Sequence, residues 1–337
     1  LKNSRRLASL AKQLNSIDLP VDTKALILDD EADQASLNTA VRVGEESPTY
    51  RSILNITNAI PSALYLQVTA TPYAPLLLEE SDELSPSFVE ILKPGDGYTG
   101  VKEFFVDNAS HVLRIISRTE APTIPPSELA IGLRNAFANF ILGAAILIEQ
   151  DIENAPVSML VHPTHLVAIH RKVAILIKEE AHRIKSLLMD RAKLSSLPPE
   201  YHQALEDLKS SSAQIPEEDQ LIKGLLKTLR FLNVAVVNSE NDEKKFKWTS
   251  SPVHVLVGGN KLDRGFTVEG LTVTYLSRGA SPQADTLSQR ARAFGYRGKY
   301  LPYCRFYASE LSINGFKASV ITEEDMRDQL TRWMDTG

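Results

Sequence analysis

A chain of 337 residues with 43% apolar and 23% charged residues has the make-up of a soluble globular protein, and the length for two domains rather than one. Its formal charge of −5 excludes a global attraction to polyanions, so nucleic-acid binding would have to come from a local basic surface. The lone Cys304 excludes a disulfide framework within the chain and fits a reducing cytoplasm.

The opening residues, Leu1-Lys2-Asn3-Ser4-Arg5-Arg6, include no initiator Met and no apolar signal core, and read as the interior of a longer polypeptide. Leu7 to Leu14 patterns as an amphipathic helix, and Lys24 to Leu28 as a buried strand running into acidic residues. Tyr50 to Ala59 is helical, and Ala63 to Val68 is a second strand. Pro75 to Pro126 is rich in Pro, Ser and acidic residues and reads as an irregular connection. Leu129, Leu133, Phe137, Phe140, Ile141, Ala144 and Leu147 then recur at helical spacing. The apolar run inside that helix, Ala136 to Ile148, is too short to cross a membrane. Val157 to Val161 is a strand, and His165 to Met189 a long helix. A helical insertion, with outer bounds at about 171–232, is punctuated by Pro198, Pro199 and Pro216. Strands resume at Val234 to Val237, Val253 to Val257 and Leu271 to Leu276. A helix from Ala284 to Ala293, a strand at Cys304 to Tyr307 and a helix from Glu323 to Met334 complete the order. Strands alternating with helices predict an α/β architecture with mainly parallel sheets.

Four stretches carry chemistry. In Leu26-Ile27-Leu28-Asp29-Asp30-Glu31-Ala32-Asp33 a hydrophobic strand delivers an acidic pair at its C-terminal end, the Walker B arrangement. Asp30 would hold Mg²⁺ through water, and Glu31 would act as general base on the attacking water. A solvated acidic turn is the plain alternative. Val68-Thr69-Ala70-Thr71-Pro72 ends the next strand, where a hydroxyl can contact the acidic pair and relay nucleotide state. The stretch from Gly258 to Leu271 follows one strand and precedes another, so its glycines and Asn260 can make a tight loop whose amides face a ligand. From Asp285 to Arg297, Gln289, Arg290, Arg292 and Arg297 are interleaved with Phe294-Gly295-Tyr296, and no acidic residue lies between Arg290 and Arg305. A guanidinium from such a stretch can neutralise charge developing on a γ-phosphoryl group. Each stretch alone has a structural explanation. Their order and spacing together are those of a superfamily-two motor.

The pieces Asp30-Glu31-Ala32-Asp33, Thr69-Ala70-Thr71-Pro72, Gly258-Gly259-Asn260-Lys261-Leu262-Asp263-Arg264-Gly265 and Phe294-Gly295-Tyr296-Arg297 resemble those of the Z1 domain family. These are endonucleases with a superfamily-two helicase-type ATPase core, mostly from bacterial and archaeal restriction-like or defence systems. The resemblance spans most of the chain, loosely outside the motifs. It implies ATP hydrolysis with Mg²⁺ coupled to DNA, beside a nuclease domain or subunit elsewhere in the full protein. Motif order and resemblance together give two RecA-like helicase domains, at 1–125 and 126–337, the first incomplete and the second holding the helical insertion. Glu31, Arg292 and Arg297 are then the catalytic residues. Asp30, Thr69, Thr71, Gly258, Gly259, Asn260, Asp263, Arg264, Gly265 and Gln289 hold the nucleotide, with Asp30 on the metal. The chain departs from the family at Ala291, Arg292 and Ala293, where Gly, Arg and Trp usually precede the Phe-Gly-Tyr-Arg element.

The sequence has no Gly-x₄-Gly-Lys-[Ser/Thr] among its 16 glycines. That phosphate loop is expected upstream of Leu1, and the chain by itself is not expected to turn over ATP. The flank of Leu26-Ile27-Leu28 is then expected to lie open, or to be completed by an upstream segment or another copy. Two rivals stand beside the motor: a degenerate helicase-like DNA-binding scaffold, and a metal-dependent nuclease proper, for which Glu90, Lys93 and Asp96 are a loose carboxylate–lysine set. His162, His165 and His170 lack zinc spacing and read as surface or packing residues. The expected setting is cytoplasmic, with no membrane partner.

Overall fold

The computed structural model describes residues 2–33, 36–38, 46–69, 82–150, 156–191, 193–212, 214–237, 246–259, 268–277, 295–296, 298 and 300–336. The chain divides into two compact units, Leu1–Ile91 with Leu330–Gly337, and Leu92–Gln329.

In the first unit, α1 (Ser4–Asn15) starts at Asn3, whose side chain accepts the N–H groups of Arg5 and Arg6. That contact satisfies two of the donors a helix start leaves open. Strand β1 (Lys24–Asp30) pairs in parallel with β2 (Ser62–Val68), placing Leu26 opposite Leu64 and Asp30 opposite Val68. The connection is α2 (Pro48–Asn58), begun by a Ser47 cap and a proline in its first turn. One face of this pair packs Tyr65 toward Tyr50, Ile53 and Leu84. The other is open, with Leu26 58% and Leu28 64% exposed and Leu64 also exposed.

The second unit is built on six parallel strands in the order β4-β10-β8-β5-β7-β6. Before them, the short strand β3 (Tyr98–Thr99) is followed by a π-helical turn at Glu103–Asp107 and by α3 (Ala109–Val112). Then come β4 (Leu113–Ile116), α4 (Ile131–Glu149), β5 (Val157–His162) and α5 (Val167–Arg191). Helices α6 (Pro199–Ser211) and α7 (Glu218–Phe231) lead to β6 (Leu232–Val237) and β7 (Val253–Gly258). The rest is β8 (Leu271–Leu276), β9 (Gly295–Tyr296), β10 (Arg305–Ser309) and α8 (Glu310–Thr336).

Alternation along the strands serves two layers. Met159, Val161, Val255, Val257, Val273 and Tyr275 join the core with α4 to α7, while Leu276, Phe306 and Ala308 join Phe104, Phe105 and Phe316 on the opposite face. Burial on both faces is what a parallel sheet requires, and it explains the unbroken apolar runs in the sequence. Helix α4 is apolar and long enough to span a membrane by composition alone, yet 78% of its most apolar window is buried inside the fold. It is a core helix, with α6 and α7 packed against it.

Residues 92–125, read from sequence as the tail of the first domain, group with the second unit because Leu113–Ile116 is an edge strand of its sheet. The stretch read as an irregular connection thus contains β3, β4 and short helical turns. Four residues give too little alternation to show a strand in the sequence, and Ile115 stays exposed on this edge. A buried ion pair fixes that edge. Arg305 is fully buried, and its Nε donates to Asp207 of α6 at 2.8 Å, while Arg114 of β4 also donates to Asp207. The last helix begins at Glu310 rather than Glu323, because Ser309 Oγ accepts the Ser312 N–H and starts it directly from β10. The expected helix at 284–293 lies outside the described residues.

Candidate functional site

At the end of β1 the chain turns sharply. Glu31 has φ 55°, a left-handed conformation that costs a residue with a Cβ on the order of 1 kcal/mol. The Ala32 N–H donates to Val68 O at 3.1 Å, which draws the turn back to the end of β2. Asp33 therefore meets Thr69, whose Oγ1 donates to Asp33 Oδ1 at 2.7 Å. This hydroxyl contact reaches the carboxylate two residues beyond Glu31.

The remaining carboxylates divide into two kinds. Asp29 is buried, ion-paired with Lys2 at 2.9 Å, and accepts the Tyr65 hydroxyl. Burial and then the bond to Asp29 push the Tyr65 phenol well above its usual range, so it remains a donor. Asp30 accepts the Glu31 N–H at 3.0 Å, and both Asp30 and Glu31 are exposed. Oxygen donors of this kind suit Mg²⁺, which usually takes one or two carboxylates and keeps several waters. Among the described residues no group of three His, Cys, Asp or Glu is placed to hold a metal unaided. Thr71 lies outside the described residues.

In the second unit the chain runs from β5 out to β6, returns to β7, then crosses β5 to reach β8. In open α/β sheets ligands bind beside the C-terminal ends of the strands at such a reversal of strand order. Gly258 and Gly259 leave β7 at this edge. A Cβ on Gly259 would stand 3.1 Å from the His170 ring and 3.3 Å from Thr164 O, so the loop passes close to both. His170 Nε2 donates to Thr164 O at 2.7 Å, and Ser277 Oγ donates to Pro163 O at 3.1 Å, bracing the loop after β5. Thr164, His170 and Ser277 were not singled out as site residues from sequence; Thr164 and Ser277 follow strand ends, and His170 lies in the first turn of α5. Asn260, Asp263, Arg264, Gly265, Gln289, Arg292 and Arg297 lie outside the described residues.

A cavity of about 550 Å³ lies beside the ends of β4 and β8, lined by Ser117, Glu120, Leu133, Arg134, Tyr275 and Ser277 among others. Both Glu120 oxygens accept the Gly132 N–H at 3.1 Å, and Glu120 Oε2 accepts the Tyr275 hydroxyl at 2.8 Å. Glu120 thereby caps α4, which has no cap of its own. No sequence pattern announces it, because twelve residues separate the partners.

The fold defines an α/β protein built on a six-stranded parallel sheet. Residues 132–337 match the Z1 domain, and the chain belongs to the Z1 domain family. No curated protein and no solved structure matches it.

Proposed function

We propose that this chain is most of the motor of a helicase-type, nucleic-acid-dependent ATPase, within a bacterial or archaeal restriction or defence endonuclease. The observation that supports this best is the end of β1. Two exposed carboxylates, Asp30 and Glu31, stand there beside a third, Asp33, that is tied by a hydroxyl to the end of the neighbouring parallel strand. A hydrolytic site needs one carboxylate free for metal, one free for water, and a link that reports their state.

In this reading the two units are the RecA-like domains of the motor. Asp30 holds Mg²⁺, and Glu31 takes the proton of the attacking water. Thr69 passes the position of Asp33 on to β2. Gly258 and Gly259 begin the loop that cradles phosphate oxygens or the nucleic-acid backbone, with Asn260, Asp263, Arg264 and Gly265 following in sequence. Thr71 and Gln289 assist nucleotide binding, and Arg292 and Arg297 supply positive charge to the γ-phosphoryl group. ATP, when bound, supplies the phosphoryl group that is transferred to water. DNA is the partner.

The test uses the full-length natural polypeptide that carries this chain. Glu31→Gln keeps size and hydrogen bonding but cannot take a proton, so ATP binding should survive while turnover falls by about 10² to 10⁴. Asp30→Asn should weaken Mg²⁺-dependent binding instead. Normal turnover in Glu31→Gln removes the assignment, and no turnover in the parent protein at any nucleic-acid concentration removes the motor.

A further inference from the structure

We infer that Tyr296, braced by Tyr98, is a stacking platform for a base of single-stranded nucleic acid. The inference rests on the nucleic-acid reading above and gives it a substrate form. Tyr296 is 66% exposed and Tyr98 40% exposed, although both sit in short regular structure rather than on free ends. Strands β3 and β9 pair antiparallel, with Tyr98 opposite Tyr296 and Thr99 opposite Gly295. The two rings meet edge to face, centroids 5.8 Å apart at 80°. That geometry fixes both rings and leaves much of the Tyr296 surface to solvent.

The turn beneath is built to receive the ring. Residues Gly95 to Tyr98 form a β-turn closed by the Tyr98 N–H on Gly95 O at 3.1 Å, with Gly97 at φ 80° as the third residue of such a turn demands. Tyr296 Oη stands 2.5 Å from where a Cβ on Gly95 would be, so only glycine lets the phenol lie there. A ring held this firmly loses little freedom when a base stacks on it.

Charge in the sequence chooses the occupant. From Thr286 to Ser309 there is no Asp or Glu, while Arg290, Arg292, Arg297 and Lys299 flank Tyr296. An exposed aromatic ring within a basic stretch offers a π-face for a base and cations for the backbone, the combination that single strands use. A duplex keeps its bases stacked on one another and offers no free face.

The experiment measures binding of this chain to labelled single-stranded and duplex oligonucleotides, with a 2-aminopurine base in the single strand to read stacking. Tyr296→Ala should weaken single-strand binding by about tenfold or more and abolish the 2-aminopurine change, with Tyr296→Phe close to the parent. Gly95→Ala, which displaces the phenol without removing it, should give a partial loss at an unchanged melting temperature. If Tyr296→Ala binds single strands as the parent does, or the parent prefers duplex, the platform is overturned and the motor reading stands. If no oligonucleotide binds even at low salt, the nucleic-acid reading fails and takes the platform with it.

Discussion

The two units make parallel strands from the same kind of apolar run and finish them differently. In the second unit every residue of β5, β7 and β8 is buried, because helices α4 to α7 cover one face and the Phe104, Phe105 and Phe316 cluster covers part of the other. In the first unit β1 and β2 are covered on one face only, and Leu26, Leu28, Leu64 and Val68 meet solvent. A parallel sheet normally draws its stability from two covered faces. The difference teaches that an apolar strand in the sequence records a tendency to be buried, and says nothing of whether a cover is at hand. The carboxylates differ in the same way. Those set into packed structure, such as Asp207, serve stability, whereas Asp30 and Glu31 sit at the rim of the less covered sheet.

The sharpest test of the contrast lies in α4. Phe137 is fully buried in the main core, and Phe137→Ala should cost about 3–5 kcal/mol in urea unfolding followed by circular dichroism. A loss below about 1 kcal/mol would mean that the second unit does not hold its core as packed. Asp207→Ala comes next. It leaves the buried Arg305 guanidinium without its carboxylate and should also cost about 3 kcal/mol or more, concentrated on the edge formed by β4 and β10. Hydrogen exchange that speeds up uniformly, rather than first at that edge, would deny the ion pair its local role.

A smaller effect should appear on lowering pH. Burial pushes His254 below its ordinary value, against a weaker opposing pull from the Trp248 carbonyl. Asn233 approaches His254 Nδ1 at 3.3 Å and Trp248 O accepts from Nε2 at 3.1 Å, which fits a neutral ring. A depressed folded value means that the contribution is complete above the unfolded value of about 6.5 and is lost as pH falls through the lower folded one. Urea midpoints should therefore drop as pH falls below about 6.5, and His254→Phe should flatten that slope. An unchanged slope in the variant assigns the pH dependence to other groups. The smallest change belongs to the open face. Leu28→Lys should shift stability by no more than about 0.5 kcal/mol, because the side chain is already 64% exposed. If it costs as much as Phe137→Ala, that face is covered in solution and the contrast between the units collapses.

The sequence by itself determined most of the elements and their class. Short apolar runs located β1, β2 and β5 to β8, a period of 3.6 located the long helices, and alternation of strand and helix gave the parallel α/β arrangement, since local propensity and burial agree there. It also marked Asp30 and Glu31, because a carboxylate pair at the end of an apolar strand is a local pattern. Tertiary structure decided what depends on partners distant in sequence. It placed Leu113–Ile116 in the second unit's sheet, tied Arg305 and Arg114 to Asp207, and set Glu120 on the first turn of α4. It brought the Thr69 hydroxyl to Asp33, because the Glu31 turn and the Ala32–Val68 hydrogen bond carry that carboxylate to the end of β2. And it set Tyr98 against Tyr296 across nearly two hundred residues of chain. Periodicity reports which way one residue faces, whereas a contact between distant segments depends on how the chain between them closes, and no local pattern carries that information.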